Sequence, residues 1–142
     1  MSEDMKTAET MRRAFDVIEE SYEFMLAYAA QGRKREIDEG GESQIRQYLK
    51  RFRGALDDLA SVLQNGSSMR AGLDFLDCFK RDIRVVRSVL DLLLSKPSIS
   101  SDMIDNTNGL ISLRALLTDI FFVDQVVLPG RHGKSFLAND SG

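Results

Sequence analysis

Apolar residues recur every three or four positions along four stretches of the chain, and charged residues fill the positions between them. In the first stretch the series is Ala8, Met11, Phe15, Ile18, Tyr22, Met25 and Ala29. The second and third stretches repeat it as Ile45, Leu49, Phe52, Leu56, Leu59 and Leu63, and then as Leu76, Phe79, Ile83, Val86, Leu90 and Leu93. In the fourth it is Leu110, Leu113, Leu117, Ile120, Asp124 and Val127. This spacing predicts helices with one buried face, and no stretch keeps the alternation of a strand.

Three connecting segments interrupt these series, and they are rich in glycine, serine, proline or charge: 32–43, 65–68 and 95–101. Asn65-Gly66 predicts a helix C-terminus. Pro97 ends the third helix, and Ser100 or Ser101 with Asp102 opens the fourth. The predicted helices span approximately residues 4–31, 43–64, 68–95 and 101–128. Because short connections make successive helices antiparallel neighbours, we expect an all-α, up-down-up-down antiparallel four-helix bundle over residues 1–130. A short C-terminal tail, residues 131–142, follows it.

The composition fits one globular domain inside the cell. The chain has 142 residues, of which 43% are hydrophobic and 29% charged, and its net charge is −3. This mild acidity argues against bulk attraction to nucleic acid. The single cysteine excludes an intramolecular disulfide and is typical of a reducing compartment. Because the chain has neither a signal-like start nor an apolar run of about 18 residues, we expect a cytoplasmic protein without membrane contact.

The segment PGRHGKS, residues 129–135, resembles the end of a phosphate-binding loop but lacks its spacing. Gly133 would need another glycine five positions earlier, where Leu128 stands. His132 is the only histidine, so it has no partners for a zinc site, and no Glu-x-x-His pair for a di-iron centre exists. A haem ligated by His132 and a methionine near the N-terminus is an alternative, but methionines usually fill cores. We therefore predict no catalytic residue, no metal and no cofactor.

The third and fourth helices carry a second apolar row beside the main series. Its members are Phe75, Cys78, Val85, Val89 and Leu92, and then Ile111, Ala115, Phe122 and Val126. One interpretation is a wide core in which each helix touches two neighbours. The other is an interface, for which Phe75, Val85, Phe122 and Val126 are candidate partner-binding residues. A homodimer through these two helices is then expected, because homodimers are the commonest oligomers.

The second helix carries a basic face. Arg46, Lys50 and Arg53 follow at helical spacing, with Arg51 beside them, in the half of the helix whose dipole disfavours positive charge. Interhelical salt bridges to acids at the end of the first helix would offset this charge; the candidates are Glu19, Glu20 and Glu23. The alternative is an anionic partner such as an acidic protein surface, so Arg46, Lys50 and Arg53 are also candidate partner-binding residues.

Asp124 is a candidate buried polar residue, because it lies in the middle of the apolar arc of the fourth helix. A buried carboxylate requires a partner, for example Tyr22, Tyr28, an arginine or water at the end of the bundle. A ligand contact is the alternative, and Asp82 interrupts the second row of the third helix in a similar way. The sequence thus predicts a small non-enzymatic interaction, adaptor or regulatory protein with an unidentified protein partner. The alternative is a bundle that binds a small apolar ligand or cofactor near Asp124.

Overall fold

The computed structural model describes residues 3–37, 40–65 and 70–130, and this part of the chain is helical and contains no strand. Its α-helices are α1 (Glu3–Ala30), α2 (Gln44–Asn65), α3 (Leu73–Leu94), α4 (Ser101–Asn108) and α5 (Ile111–Phe122). A 3₁₀ turn, Arg70–Gly72, precedes α3, and a π-helical turn, Val123–Val127, continues α5. The predicted helix stop at Gly66 and the predicted tail, 131–142, lie outside the described residues.

The apolar series of the first three helices form the core, as the sequence predicts. Every member in α2 and α3 is buried, and in α1 only Tyr22 and Ala29 remain partly exposed. The largest fully buried side chains include Phe52 and Phe79 at the middle of their helices. Burying such side chains is the main favourable term in folding, so these series fix which face of each helix points inward.

Neighbouring helices run antiparallel. Helix α1 packs against α2 and α4, α2 against α3, and α3 against α5. The direction follows from contacts in which a later residue of one helix meets an earlier residue of the next: Glu20 with Arg51 and Phe24 with Tyr48, and then Arg53 with Asp91 and Asp57 with Arg87. Likewise Phe75 near the start of α3 contacts Phe122 at the end of α5.

The prediction of a single fourth helix over 101–128, and with it the count of four, is wrong. The chain leaves the helix at Gly109 and Leu110, and Leu110 adopts an extended conformation with φ −65° and ψ 135°. The preceding residues, Asp-Asn-Thr-Asn, have low helix propensity because their side chains compete for backbone hydrogen bonds. Thr107 donates its hydroxyl to the Met103 carbonyl at 2.7 Å, and the Asn108 amide donates to Met25 of α1 at 3.3 Å.

The break changes the register of the buried residues in the last helix. Leu110, predicted to be in the core, is 39% exposed, whereas Leu116 and Val123 are fully buried. The third helix is also shorter than predicted, since α3 begins at Leu73 after the 3₁₀ turn rather than at residue 68.

Candidate interaction surface

The second apolar rows of α3 and α5 lie side by side and form one surface. The rings of Phe75 and Phe122 are 5.0 Å apart between centroids and inclined by 58°, so the two rows are in contact. We call this surface the α3–α5 face, and its members are Phe75, Cys78, Val85, Val89, Leu92, Ile111, Ala115, Phe122 and Val126. The two rows therefore meet where α3 begins and α5 ends.

This face remains at the surface. None of its nine members is fully buried, and Leu92, Ile111 and Val126 are 63%, 83% and 65% exposed. Among the candidate partner-binding residues, Val85 and Phe122 are exposed and Phe75 is partly buried against the core. A wide core would have enclosed these side chains, so the face is left without cover by the described part of the chain.

Two carboxyl groups meet within this face. Asp119 of α5 lies within hydrogen-bonding range of Asp82 of α3. Its Oδ2 atom is buried and has no donor among the described residues unless the two carboxyl groups share a proton. Burial, then the hydrogen bond and the negative charge of Asp82, raise the pKa of Asp119 to about 7. The Asp82–Asp119 pair therefore holds one proton below about pH 7, since two adjacent carboxylates repel each other.

Cys78 is the third polar member of this region. Its Sγ lies 3.7 Å from Oδ2 of Asp82, and the side chain is exposed. The negative charge of Asp82, followed by desolvation and the charge of Asp119, raises the pKa of the thiol. The thiol form is a weak nucleophile, so this environment disfavours covalent chemistry at Cys78.

Asp119 is the residue that the sequence interpretation missed. It lies four positions after Ala115 and three before Phe122, so it interrupts the apolar row of α5 as Asp82 interrupts that of α3. In an antiparallel pair these interruptions are brought to the same level. The structure does not pair Asp82 with Asp124, since the ion pair of Asp124 is made to α1.

The candidate basic residues of α2 all form ion pairs within the chain. Arg46 pairs with Glu36, Lys50 with Glu42, and Arg53 with Oδ1 of Asp91 at 2.9 Å. These acids differ from the predicted ones, which were Glu19, Glu20 and Glu23. Of the predicted acids, Glu20 pairs with Arg51 of α2 at 3.2 Å. Lys50 and Arg53 keep 49% and 32% of their side chains exposed, whereas Arg46 keeps 19%.

Arg46 and Glu36 form a cluster at one end of the molecule, which we call the Glu36–Arg46 cluster. Two nitrogen–oxygen contacts of 2.8 and 2.9 Å join the guanidinium to the carboxylate, and Arg46 also donates to the Leu94 carbonyl at 3.0 Å. The Ile99 amide donates to Glu36 at 2.7 Å. Burial alone would raise the pKa of Glu36, but the hydrogen bonds from Arg46, Ser43 and Ile99 together hold it below its ordinary value. Arg46 is therefore part of the internal structure in this arrangement.

The same end is closed by a second set of hydrogen bonds. The Tyr28 hydroxyl donates to the Ile99 carbonyl at 2.5 Å, and the buried Ser101 hydroxyl donates to the Tyr28 carbonyl at 2.7 Å. The Ser101 amide donates to the Arg33 carbonyl at 2.8 Å. These bonds join the segment after α1 to the start of α4, which explains why the charged sequence after Ala30 is held against the helices.

Asp124 pairs with an arginine, which is one of the partners expected for it. Its Oδ1 lies 3.2 Å from Nε of Arg12, and the two side chains are 14% and 13% exposed. Arg12 also donates to the Pro129 carbonyl at 2.6 Å, which ties the π-helical turn to α1. A cleft of about 290 Å³ adjoins the pair, and charged side chains dominate its lining: Arg12, Asp16, Glu19 and Asp124, with Phe15, Phe121 and Gln125. This lining suits a polar group better than an apolar ligand.

The chain matches no protein-family model, no curated protein and no solved structure. Within residues 3–37, 40–65 and 70–130, no helix has the length and apolar character needed to cross a membrane. In the same ranges, no group of three or more His, Cys, Asp or Glu side chains is placed to hold a metal ion. The site must therefore be interpreted from its own geometry.

Proposed function

We propose that this chain is a small non-enzymatic interaction protein of the adaptor or regulatory kind, and that its binding surface is the α3–α5 face. The observation that carries this proposal is the row of exposed apolar side chains on two adjoining helices, among them Leu92, Ile111 and Val126. Contiguous exposed apolar patches on soluble proteins usually mark interaction sites. The antiparallel pairings support an up-down-up-down bundle as the arrangement behind this face, with α4 and α5 together in the place of its fourth helix.

The occupant that we propose for the α3–α5 face is a second copy of the chain. From Phe75 to Leu92 the face is about 26 Å long at the helical rise, and two helix widths make it about 20 Å wide. Two such faces would bury about 1,000 Å², which is the lower end of what a specific interface requires. A two-fold interface places this face against the same face of the partner copy, so exposed apolar side chains such as Leu92 and Val126 meet an apolar surface.

The non-enzymatic part of the proposal is supported by the chemistry of the face. Cys78 contacts the Asp82–Asp119 pair through Asp82, and both acids favour its thiol form. The observed ion pairs join helices to each other or to connecting segments, as in the Glu36–Arg46 cluster, or join residues one turn apart on α3. The charged cleft beside Asp124 gives less support to an apolar ligand or cofactor, so that alternative ranks second.

The basic face of α2 remains a second, weaker candidate for a partner with an acidic surface. Lys50 and Arg53 are accessible enough to exchange their internal acids for those of a partner, whereas Arg46 would have to leave a part-buried cluster. The internal pairing of these cations argues against a nucleic-acid partner. The single cysteine supports a cytoplasmic location.

Sedimentation equilibrium tests the proposed dimer. The double variant Leu92→Ser, Val126→Ser removes two exposed apolar side chains from each copy. Leu26→Ser is the control, because it removes an apolar side chain of α1 that is 46% exposed and lies outside the α3–α5 face. Each buried side chain contributes about 1 kcal/mol at these exposures, so the dimer should weaken by about 4 kcal/mol, or roughly a thousandfold. The control should associate like the wild type. A wild type that stays monomeric at high micromolar concentration would contradict the proposal.

A further inference from the structure

We infer that association through the α3–α5 face takes up protons, which bind to the Asp82–Asp119 pair as the second copy covers it. This inference rests on the proposed function, because it concerns the same face and the same occupant. It adds a regulation to that function: a fall in pH tightens the dimer.

The Asp82–Asp119 pair lies between apolar members of the α3–α5 face on both helices. Along α3, Asp82 lies seven residues after Phe75 and seven before Val89, both of which belong to the face. On α5, Asp119 lies between Ala115 and Phe122. A partner that covers the face from one end to the other must therefore also cover the carboxyl pair, and it removes the remaining water from it.

The charged and titratable groups around the Asp82–Asp119 pair decide whether a cation neutralises it. The ion pairs of the described ranges include neither Asp82 nor Asp119. From α3 the pair is faced by the Cys78 thiol, and Arg81 acts on that thiol. The π-helical turn and α4 also pack on α5. The titratable group of the π-helical turn is Asp124, which pairs with Arg12. Those of α4 are Asp102 and Asp105, and both are exposed. Arg114 of α5 itself is exposed.

A proton is therefore the counter-charge that the face offers to its own carboxylates. Covering an unneutralised carboxylate costs free energy, because the charge loses water and the observed ion pairs give neither Asp82 nor Asp119 a cation in exchange. The covered pair consequently binds its proton more tightly than the uncovered pair does. By linkage, the dissociation constant of the dimer must fall as the pH falls through the range in which the free pair titrates.

The size of the effect follows from the titration of the free chain. With a pKa of about 7, Asp119 is roughly nine-tenths protonated at pH 6 and one-tenth protonated at pH 8. If each copy must carry its proton in the dimer, the dissociation constant rises by about tenfold for each copy between these pH values, or by up to about a hundredfold in total. An occupant that supplied a cation to the pair would give the opposite sign.

Sedimentation equilibrium of the full chain at pH 6, 7 and 8 tests the inference. The wild type should dimerise between about tenfold and a hundredfold more tightly at pH 6 than at pH 8. Asp119→Asn keeps the shape but cannot ionise, so its dimer should be strong and independent of pH. Asp58→Asn on the exposed side of α2 is the matched control and should behave like the wild type. Histidines titrate in the same range, so loss of the effect in Asp119→Asn separates the pair from His132.

The possible results separate the two proposals. A wild-type dimer whose strength does not change with pH, or increases towards pH 8, overturns the proton uptake and leaves the proposed function standing. A chain that is monomeric at every pH overturns both. If Asp119→Asn fails to fold by circular dichroism, the direct measurement is the pH change on diluting weakly buffered wild-type dimer. Dissociation should release protons, and the absence of any release would overturn the inference.

Discussion

Replacing Asp119 with asparagine should stabilise the monomer at alkaline pH and leave it nearly unchanged at pH 3. Asp119 is partly buried against Asp82, and its pKa lies at about 7 in the folded chain against an ordinary value of 3.8. Because the folded state binds this proton more tightly than the unfolded state, stability is greatest below the ordinary pKa. It is then lost progressively as the pH rises towards 7. The asparagine variant carries no such charge, so it should not lose this stability.

The magnitude follows from the difference between the two pKa values. A difference of about three units corresponds to about 4 kcal/mol at about 1.36 kcal/mol per unit, which is an upper limit. The side chain keeps contact with solvent, and screening by water reduces the expected effect to about 1–2 kcal/mol. At pH 8 the variant should be more stable than the wild type by that amount, and at pH 3, below the ordinary pKa, the two should agree within about 0.5 kcal/mol.

Urea unfolding followed by circular dichroism measures this difference, at low micromolar concentration so that the monomer dominates. Asp58→Asn removes an exposed carboxylate of α2 and serves as the control, for which the stability difference from the wild type should not depend on pH. The reasoning would be refuted if Asp119→Asn were less stable than the wild type at pH 8. It would equally be refuted if their difference were the same at pH 3 and pH 8.

Three further predictions concern the connections between helices. Tyr28→Phe leaves the Ile99 carbonyl without its donor at a buried site, so urea unfolding should show a loss of about 1–2 kcal/mol. Glu36→Gln should cost about 2–3 kcal/mol at pH 7, because it breaks the part-buried pair with Arg46. Because the pKa of Glu36 is lowered, its contribution is present above the ordinary pKa and lost as the pH falls through the folded value, so the loss of stability on acidification should be smaller in the variant. Gly109→Ala should unfold within about 1 kcal/mol of the wild type, because Gly109 has a helical φ of −84° and an added Cβ would meet no atom closer than 3.6 Å; a loss of several kcal/mol would contradict this.

The core of α1, α2 and α3 could be predicted from the sequence, because residues three or four positions apart lie on the same face of a helix and are buried together. Leu49 and Leu90 lie in uninterrupted apolar series, and both are fully buried. The prediction for the fourth series is wrong at Leu110, because the apolar spacing continues through the residue at which the helix is broken. Asn108-Gly109 carries the same turn signal as Asn65-Gly66, but the leucines at helical spacing on both sides of it predict a continuous helix.

The candidate site could be predicted only in part. The apolar rows are visible in the sequence, since Phe122 and Val126 repeat at helical spacing outside the main series. The axial position of one helix against its neighbour decides which charged residues pair. This position depends on the geometry of the connecting segments, which the sequence does not state. Asp82 therefore meets Asp119 rather than Asp124, and Arg46 meets Glu36 in a connecting segment rather than an acid of α1.

The most direct test of the central claim is an NMR dilution series at pH 6, in which backbone amide shifts are followed from millimolar to low micromolar concentration. If the α3–α5 face binds a second copy, the concentration-dependent shifts should cluster on its members, with Leu92, Ile111 and Val126 among the largest. Shifts that cluster on the outer sides of α1 and α2, or no shifts up to millimolar concentration, would contradict the account.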